Sequence, residues 1–171
     1  MLPGVANALA ARVVADLGFP AAYVTGAGIA NTYLGIPDNG LVTLSELCDH
    51  VAAIRDVFAG PIMVDADTGF GNVLNMTRTV KLLERAGADC VQLEDQVNPK
   101  RCGHFSGKAV VDTDEMIGKS KAAVDARHDP HFLVMARTDA RGTHGFEAAI
   151  ERAQAFAEAG ADILFVEACE T

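Results

Sequence analysis

The chain has 171 residues and a mass of 17.9 kDa, and its 14 Lys and Arg residues against 23 Asp and Glu residues give a net charge of −9. This charge argues against a nucleic acid or an anionic membrane surface as the main partner, because both repel an acidic protein. Charged residues make up 22% and hydrophobic residues 50% of the chain, a balance typical of globular proteins and not of disordered ones.

The sequence indicates neither a membrane span nor a disulfide framework. No apolar run approaches the ~18 residues of a spanning helix, and the start of the chain lacks a basic, leader-like segment. The four cysteines are far apart and form no CxxC pair, which disfavours a zinc site and a set of disulfides. We therefore expect a soluble, cytosolic protein with a single domain.

Short apolar runs rich in β-branched residues alternate with amphipathic segments of helical length, which is the pattern of βα units around a parallel sheet. The predicted strands cover residues 2–5, 22–25, 61–66, 90–93, 132–136 and 163–166. The predicted helices cover residues 7–17, 44–58, 74–86, 114–126 and 146–159, with Thr43, Ser45 and Thr113 as candidate N-caps. The strands are almost continuously apolar, as expected when helices cover both faces of a sheet.

The junctions between predicted helices and strands repeat along the chain. Gly18, Gly87 and Gly160 each follow a helical segment and precede a strand, where glycine ends a helix in a left-handed conformation. This repetition, with acidic residues at the strand ends, favours a (β/α)8 barrel over a doubly wound sheet. Because a complete barrel needs ~250 residues, we interpret residues 1–171 as a partial catalytic barrel with about the first six strands, lacking the last strands and helices.

A partial barrel has an expected physical consequence. The first and last strands of a closed barrel pair with each other, so the segments 2–5 and 163–166 would keep unpaired backbone groups. Exposed apolar strand edges favour association. We therefore expect the chain by itself to be poorly soluble or oligomeric and to be inactive.

Acidic residues mark the ends of the predicted strands, which is where the active site of a barrel lies. Asp65 and Asp67 are two residues apart and share one face of a strand, and Glu94 ends the neighbouring strand. Three convergent carboxylates without a nearby His or Cys suit a hard cation, Mg²⁺ or alternatively Mn²⁺. The alternative is that one or two of these acids cap the following helix or pair with Arg137.

The most unusual segment is Lys100-Arg101-Cys102-Gly103-His104, in which two cations and a histidine flank one cysteine. In a loop between a strand and a helix, this setting favours the thiolate and suits a proton donor or a nucleophile. The alternative is a solvated basic loop with an incidental cysteine. Cys48, Cys90 and Cys169 lie in helix or strand contexts and are predicted core residues.

Taken together, these motifs resemble the isocitrate lyase/phosphoenolpyruvate mutase superfamily, in its methylisocitrate lyase-like and dimethylmalate lyase-like branch. The resemblance runs from Pro3 to the end in family order. The motifs that carry it are Pro3-Gly4-Val5, Tyr23-Val24-Thr25-Gly26, Pro37-Asp38, Asp65-Ala66-Asp67-Thr68-Gly69-Phe70-Gly71, Leu93-Glu94-Asp95-Gln96, Lys100-Arg101-Cys102-Gly103-His104, Ala136-Arg137-Thr138-Asp139 and Val166-Glu167. The family fold is a (β/α)8 barrel, and the resemblance implies a homotetramer for the full-length protein.

The resemblance also implies roles for individual residues. Asp65, Asp67 and Glu94 match the carboxylates that approach Mg²⁺ directly or through water. The implied catalytic residues are Lys100, Cys102, His104 and Arg137, with Cys102 as the acid/base on a closing loop and Arg137 stabilising oxyanion charge. The implied substrate-binding residues are Tyr23, Thr25, Gly26, Ala27, Asp38, Arg101, Gly103 and Glu167.

The implied reaction is a retro-aldol, Claisen-like cleavage of a carbon–carbon bond in a small 2-hydroxy-dicarboxylate, through an enolate or aci-carboxylate. Gln92 departs from the methylisocitrate lyase pattern, where His is usual, so methylisocitrate, dimethylmalate and oxaloacetate all stay open. The alternatives are a phosphonoenolpyruvate-type mutase, an oxaloacetate hydrolase or decarboxylase, or an inactive fragment. Because phosphonate mutases of the family usually lack the cysteine, Cys102 favours bond lysis.

Overall fold

Six parallel strands lie side by side in the order in which they occur in the sequence. The structure, a computed structural model, describes residues 1–103 and 107–169. The strands of this part of the chain are β1 (Gly4–Val5), β2 (Ala22–Val24), β3 (Ile62–Asp65), β4 (Cys90–Glu94), β5 (Leu133–Thr138) and β6 (Ile163–Val166). All six predicted strands are confirmed, and β1 and β6 are the two edge strands of the sheet.

Helices connect each strand to the next, and five of them are the predicted ones. The helices are α1 (Ala8–Asp16), α2 (Gly26–Ile29), α3 (Leu44–Arg55), α4 (Val73–Ala86), α5 (Thr113–Ala126), α6 (Arg141–His144) and α7 (Phe146–Glu158). The short helices α2 and α6 were not predicted, nor was the π-helical turn Ala30–Leu34 that continues α2. Thr25 stabilises the start of α2 by accepting a hydrogen bond from the Gly28 N–H at 3.1 Å.

Of the three predicted helix N-caps, the structure confirms Thr43 and contradicts Ser45 and Thr113. Thr43 and Glu46 form a reciprocal capping box at the start of α3, so the Thr43 cap is confirmed and Ser45 lies inside the helix. The Thr113 cap is wrong, because Thr113 is the first residue of α5 and Asp112 precedes it as the N-cap. Gly87 ends α4 with a φ of 100°, a left-handed conformation that favours glycine.

The two faces of the sheet differ in chemistry. Every residue of β4 is buried, and alternating apolar side chains such as Val64, Val91 and Val134 pack in the core with Leu83 of α4 and Phe156 of α7. Because side chains alternate along a strand, the intervening positions point to the other face, which carries the polar residues described below. In the described part of the chain, no helix combines the length and apolar character needed to cross a membrane.

Candidate active site

One face of the sheet and the loops after its strands enclose a cavity of about 430 Å³. Successive strands contribute residues two apart, which share a face: Met63 and Asp65 from β3, Gln92 and Glu94 from β4, and Met135 and Arg137 from β5. The strand register aligns Asp65 with Gln92 and Glu94 with Arg137. Parallel pairing therefore brings together polar residues that are far apart in the sequence. We call Asp65, Gln92, Glu94 and Arg137, with Asp67 just after β3, the polar floor of the cavity.

Burial and mutual repulsion perturb the acids of this floor. Burial raises the pKa of Asp67, and the charge of Asp65 raises it further against the lowering effect of Lys100. Burial likewise raises the pKa of Glu94, although Arg137 opposes the shift. Within the described residues, Glu94 Oε1 is buried without a hydrogen-bond partner. Both shifts favour the neutral, protonated forms of these acids, because burial and like charges disfavour the carboxylates more than Lys100 and Arg137 stabilise them.

Tyr23 projects from β2 towards the same acids. Burial raises the pKa of the Tyr23 hydroxyl well above its usual value, and the charge of Asp65 raises it further. Gln92 donates a hydrogen bond from Nε2 to Asp65 Oδ1 at 3.3 Å, and the same oxygen accepts from the Asp67 N–H at 3.2 Å. Asp65 is therefore held in place from the neighbouring strand and from its own turn.

Lys100 places a buried ammonium group at the mouth of the acid cluster. Its Nζ atom lies 2.6 Å from Asp38 Oδ1 and 2.7 Å from Asp67 Oδ1, and its side chain is 3% exposed. Burial alone would lower the pKa of Lys100, but the charges of Asp67, Asp65 and Glu94 raise it overall. Lys100 thus stays cationic and ties the loop after β4 to Asp38, in the segment before α3, and to Asp67, just after β3.

Arg137 is the second buried cation of the cavity. It donates from Nε to Asp139 Oδ2 at 3.0 Å and from Nη2 to Asp139 Oδ1 at 3.1 Å. Glu94 Oε2 lies 3.5 Å from Nε, and Glu167 Oε1 lies 3.7 Å from Nη2. Burial alone would lower the pKa of Arg137, but the charges of Glu94 and Asp139 raise it overall. The guanidinium is therefore charged and held in a fixed orientation by its acidic neighbours.

Asp95 anchors the strand end that carries Arg137. Its carboxylate accepts hydrogen bonds from the Asp139 N–H at 2.9 Å, from Thr138 Oγ1 at 2.7 Å and from Arg152 Nη1 of α7 at 3.1 Å. Asp95 and Asp139 are both fully buried. Such a satisfied polar network restricts motion, so the backbone at the strand end that carries Arg137 is rigidly held.

Two buried side chains hold the loop that carries Cys102. Gln96 donates from Nε2 to the Arg101 carbonyl and accepts at Oε1 from the Arg101 N–H, both at 2.9 Å. Lys108 donates from Nζ to the Gly103 carbonyl at 2.6 Å. Cys102 lies between these two anchors, is half-buried and lines the cavity. The thiol is thus presented to the same space as Arg137 and Lys100.

Comparison with known proteins assigns the family. The family model described as phosphoenolpyruvate phosphomutase matches residues 1–171. The chain belongs to the phosphoenolpyruvate mutase/isocitrate lyase superfamily. It is 51% identical over 168 residues to 2,3-dimethylmalate lyase of Eubacterium barkeri, covering 98% of this chain and 58% of that protein. It is 54% identical over 166 residues to 2-methylisocitrate lyase of Aeropyrum pernix, covering 97% of this chain and 53% of that protein.

Solved structures of this superfamily confirm the barrel-type fold. A crystal structure of 2,3-dimethylmalate lyase matches with a TM-score of 0.95 and 40% identity, over 99% of this chain and 57% of that one. Oxaloacetate acetylhydrolase in complex with 3,3-difluorooxalacetate matches with the same TM-score and identity, over 99% and 59%. Phosphonopyruvate hydrolase with oxalate and Mg²⁺ matches with a TM-score of 0.88 and 32% identity, over 97% and 57%. The chain thus spans little more than half the length of these superfamily members.

Most of the site residues predicted for this superfamily member line the cavity. They are Tyr23, Thr25, Ala27, Asp38, Asp65, Glu94, Lys100, Cys102, Gly103, Arg137 and Glu167. Asp67 and Gly26 lie behind this lining, where a Cβ atom on Gly26 would be 3.3 Å from Asp65 Oδ2. The Arg101 side chain is exposed, and its backbone is the part that Gln96 holds. His104 lies outside the described residues.

Sequence reasoning missed several residues of the site. Met63 and Met135 lie two positions before Asp65 and Arg137, so strand alternation alone could have placed them in the lining. The same alternation places Phe165 two positions before Glu167, and its ring centroid lies 5.4 Å from the Arg137 guanidinium carbon. Gln96 and Lys108 lie outside the six strands and carried no such signal. Their roles depend on loops and strands that meet only in the folded chain.

The donor chemistry of the cavity fits a hard divalent cation. Carboxylate oxygens are the ligands that Mg²⁺ prefers, Glu94 Oε1 is buried and unpartnered, and the lining contains four acidic but only two basic side chains. In the described ranges, however, no three His, Cys, Asp or Glu residues converge closely enough to hold a metal ion. Lys100 engages Asp67 and Arg137 engages Glu94, so the three-carboxylate site of Asp65, Asp67 and Glu94 stays a prediction.

Proposed function

We propose that this protein is a Mg²⁺-dependent carbon–carbon lyase for a small 2-hydroxy-dicarboxylate of the methylisocitrate or dimethylmalate type. The observation that carries the proposal is the cavity shared by the Arg137 guanidinium, the Lys100 ammonium and the Cys102 thiol. An anionic substrate needs the cations, and bond cleavage needs a proton donor beside them. Relatives named for 2,3-dimethylmalate and 2-methylisocitrate lyase reactions support the assignment.

The cavity suits a compact, charged substrate. Its volume of about 430 Å³ lies towards the small end of ligand sites, which span roughly 300–1,000 Å³. Arg137 presents a planar guanidinium that can bind a carboxylate in a bidentate manner, while Met63, Met135 and Phe165 supply apolar surface for the carbon skeleton. The mixture of one oriented cation and apolar walls favours a short carboxylic acid with alkyl substituents.

The proposed reaction breaks the bond between carbons 2 and 3 of the substrate. The 2-hydroxyl group loses its proton to a carboxylate of the cavity, carbon 2 becomes a keto carbon, and the bonding electron pair moves to carbon 3. That pair is delocalised into the adjacent carboxylate, and the Arg137 charge stabilises this species because it is held in place beforehand by Asp139.

Cys102 completes the reaction as the acid. Its thiol donates a proton from Sγ to carbon 3, which leaves a saturated carboxylic acid and a 2-oxo acid such as pyruvate. The loop anchors at Arg101 and Gly103 fix the thiol over the cavity, which is the positioning that general acid catalysis requires.

The Mg²⁺ requirement is part of the same proposal. Asp65, Asp67 and Glu94 would hold the ion, which when bound would supply Lewis-acid stabilisation of the oxygen charge on the substrate. The support is the excess of acidic over basic side chains in the lining and the Mg²⁺ and oxalate bound in phosphonopyruvate hydrolase.

The test is an assay of 2-oxo acid release from a panel of C4–C7 hydroxy-dicarboxylates, with and without Mg²⁺. Because the chain spans little more than half of its relatives, we propose that it forms part of a larger barrel. The assay therefore uses both the 171-residue chain and a longer protein that contains it. Release of pyruvate from one panel member only when Mg²⁺ is present is the expected result.

Cys102→Ser tests the acid, with Cys169→Ser as the matched control. The prediction that Cys169 is a core residue is wrong, because the structure exposes it. A hydroxyl of similar size does not supply a proton near neutral pH, so kcat should fall by roughly 10²–10⁴-fold while KM stays close to its original value. Cys169→Ser should leave both constants unchanged. Near-normal turnover of the Cys102 variant would refute Cys102 as the acid.

A second candidate is hydrolysis of oxaloacetate on the same site. The match to oxaloacetate acetylhydrolase is as close in TM-score as the match to 2,3-dimethylmalate lyase. Oxaloacetate therefore belongs in the substrate panel. Formation of oxalate and acetate from oxaloacetate, without 2-oxo acid release from the hydroxy-dicarboxylates, would replace the lyase assignment by this one.

A further inference from the structure

Three hydrogen bonds connect the backbone beside Cys102 to the Arg137 guanidinium. Lys108 Nζ donates to the Gly103 carbonyl at 2.6 Å and to Asp139 Oδ1 at 2.7 Å. Arg137 Nη2 donates to the same Asp139 oxygen at 3.1 Å. Lys108 thus bridges the Gly103 backbone, next to Cys102, and the Asp139 carboxylate, which orients the Arg137 guanidinium.

Both central members of this chain of contacts are buried. The Lys108 side chain is 5% exposed and the Asp139 side chain is 0% exposed. Arg137 already balances the negative charge of Asp139. Charge balance at Asp139 therefore does not explain why Lys108 is buried there as well. The additional contact that Lys108 supplies is the hydrogen bond to Gly103, and burial makes such a charge-assisted bond strong.

The packing of Gly103 links the loop and the guanidinium a second time. A Cβ atom at Gly103 would approach Glu167 Oε1 and Arg137 Nη2 more closely than 3.0 Å, a separation that real Cβ atoms essentially never show. The loop backbone therefore rests directly on the two side-chain ends. A movement of the Gly103 backbone would change the space available to the Arg137 side chain. A movement of the Arg137 side chain would likewise change the surface against which the Gly103 backbone packs.

We propose that Lys108 is a positioning residue that couples the position of the Cys102–Gly103 backbone to the orientation of Arg137. The proposal rests on the proposed function only for the catalytic roles of Cys102 and Arg137. Lys108 itself touches neither the cavity nor the reacting atoms. It holds Gly103 against Arg137, so that acid and oxyanion-stabilising cation reach their working positions together.

The test measures loop position without using turnover. Wild type and Lys108→Met are treated with iodoacetamide, and mass spectrometry of the peptides gives the alkylation rates of Cys102 and of the buried Cys90. The ratio of the Cys102 rate to the Cys90 rate is the readout, because a general loss of stability would also raise the rate of the buried Cys90, whereas a local shift of the Cys102 backbone would not. We expect the ratio to rise about tenfold in Lys108→Met, the population change that matches loss of one hydrogen bond to a charged group.

Lys119→Met is the matched control. Lys119 is also a buried lysine with an acidic partner, Glu115 at 3.2 Å, and its Nζ atom contacts the Thr68 carbonyl at 3.4 Å. It lies in a separate cavity from Cys102. The alkylation ratio of this variant should equal that of wild type within twofold, and a rise equal to that of Lys108→Met would overturn the proposal.

A double variant keeps the test decisive if Lys108→Met does not fold. Lys108→Met with Asp139→Asn removes one charge of each sign and breaks the same chain of hydrogen bonds, so the ratio should again rise. An unchanged ratio in a folded Lys108 variant would overturn the inference whether or not the protein is a lyase. A raised ratio in a protein without lyase activity would instead leave the inference standing and remove the proposed function.

Discussion

We expect the substitution Gly103→Ala to disturb the geometry of the cavity while leaving the stability of the fold almost unchanged. The added Cβ would lie within 3.0 Å of Glu167 Oε1 and Arg137 Nη2, and both atoms are the far ends of long side chains that can move. Gly103 is not among the residues with a positive φ, so backbone strain does not contribute. We therefore expect the free energy of unfolding to change by less than about 1 kcal/mol, the usual range away from the tightly packed core.

The catalytic cost of the same substitution should be large. The displaced atoms are the guanidinium and carboxylate that line the cavity, and a displacement of about 1 Å at a reacting site can cost roughly 100-fold in rate. That factor corresponds to about 2.7 kcal/mol of activation free energy. Turnover, KM and urea denaturation of Gly103→Ala are compared with those of wild type to test both expectations.

Gly142→Ala provides the matched control for this substitution. Its Cβ would lie 3.9 Å from Lys108 Cε, an ordinary van der Waals contact, so turnover and stability should both be unchanged. Turnover of Gly103→Ala within threefold of wild type would refute the argument that the loop backbone sets the position of Arg137. A large loss of stability without a specific loss of kcat would refute it as well.

Two further substitutions test the metal site and a helix cap. Asp65→Asn removes a charge from the acid cluster, so half-maximal activity should require at least about tenfold more Mg²⁺; an unchanged Mg²⁺ titration would count against Asp65 as a ligand. Thr43→Ala removes the capping box of α3 and should cost about 1 kcal/mol in urea denaturation. Ser45→Ala, inside the same helix, should cost less than half of that, and equal losses would contradict the assignment of Thr43 as the cap.

The sequence was sufficient for the long elements because their signals are local. Apolar runs, amphipathic spacing and junction glycines such as Gly87 depend on residues that are neighbours in the chain. The helix α2 was missed because its glycines oppose helix formation. It forms with Thr25 capping its start and with Gly26 and Ile29 buried, and burial is a property of the folded chain.

Strand alternation and strand order also determined part of the site. Asp65 and Glu94 end β3 and β4, and Arg137 is the penultimate residue of β5. These strands are adjacent in a parallel sheet built in sequence order, so the convergence of the three residues follows from the βα pattern. The family motifs in which these residues occur were likewise readable in the linear sequence, and the family comparison agrees with them.

Only the tertiary structure decided how the charges are partitioned. Lys108 and Asp139 are 31 residues apart, and Asp95 and Arg152 are 57 apart, separations at which sequence spacing carries no information about contact. Which cation meets which acid depends on loop paths and on the free-energy cost of leaving a buried charge unpaired. The sequence therefore determined which chemical groups gather at the strand ends, whereas the folded loops decided that Lys100 meets Asp67 and that Lys108 links the thiol loop to Arg137.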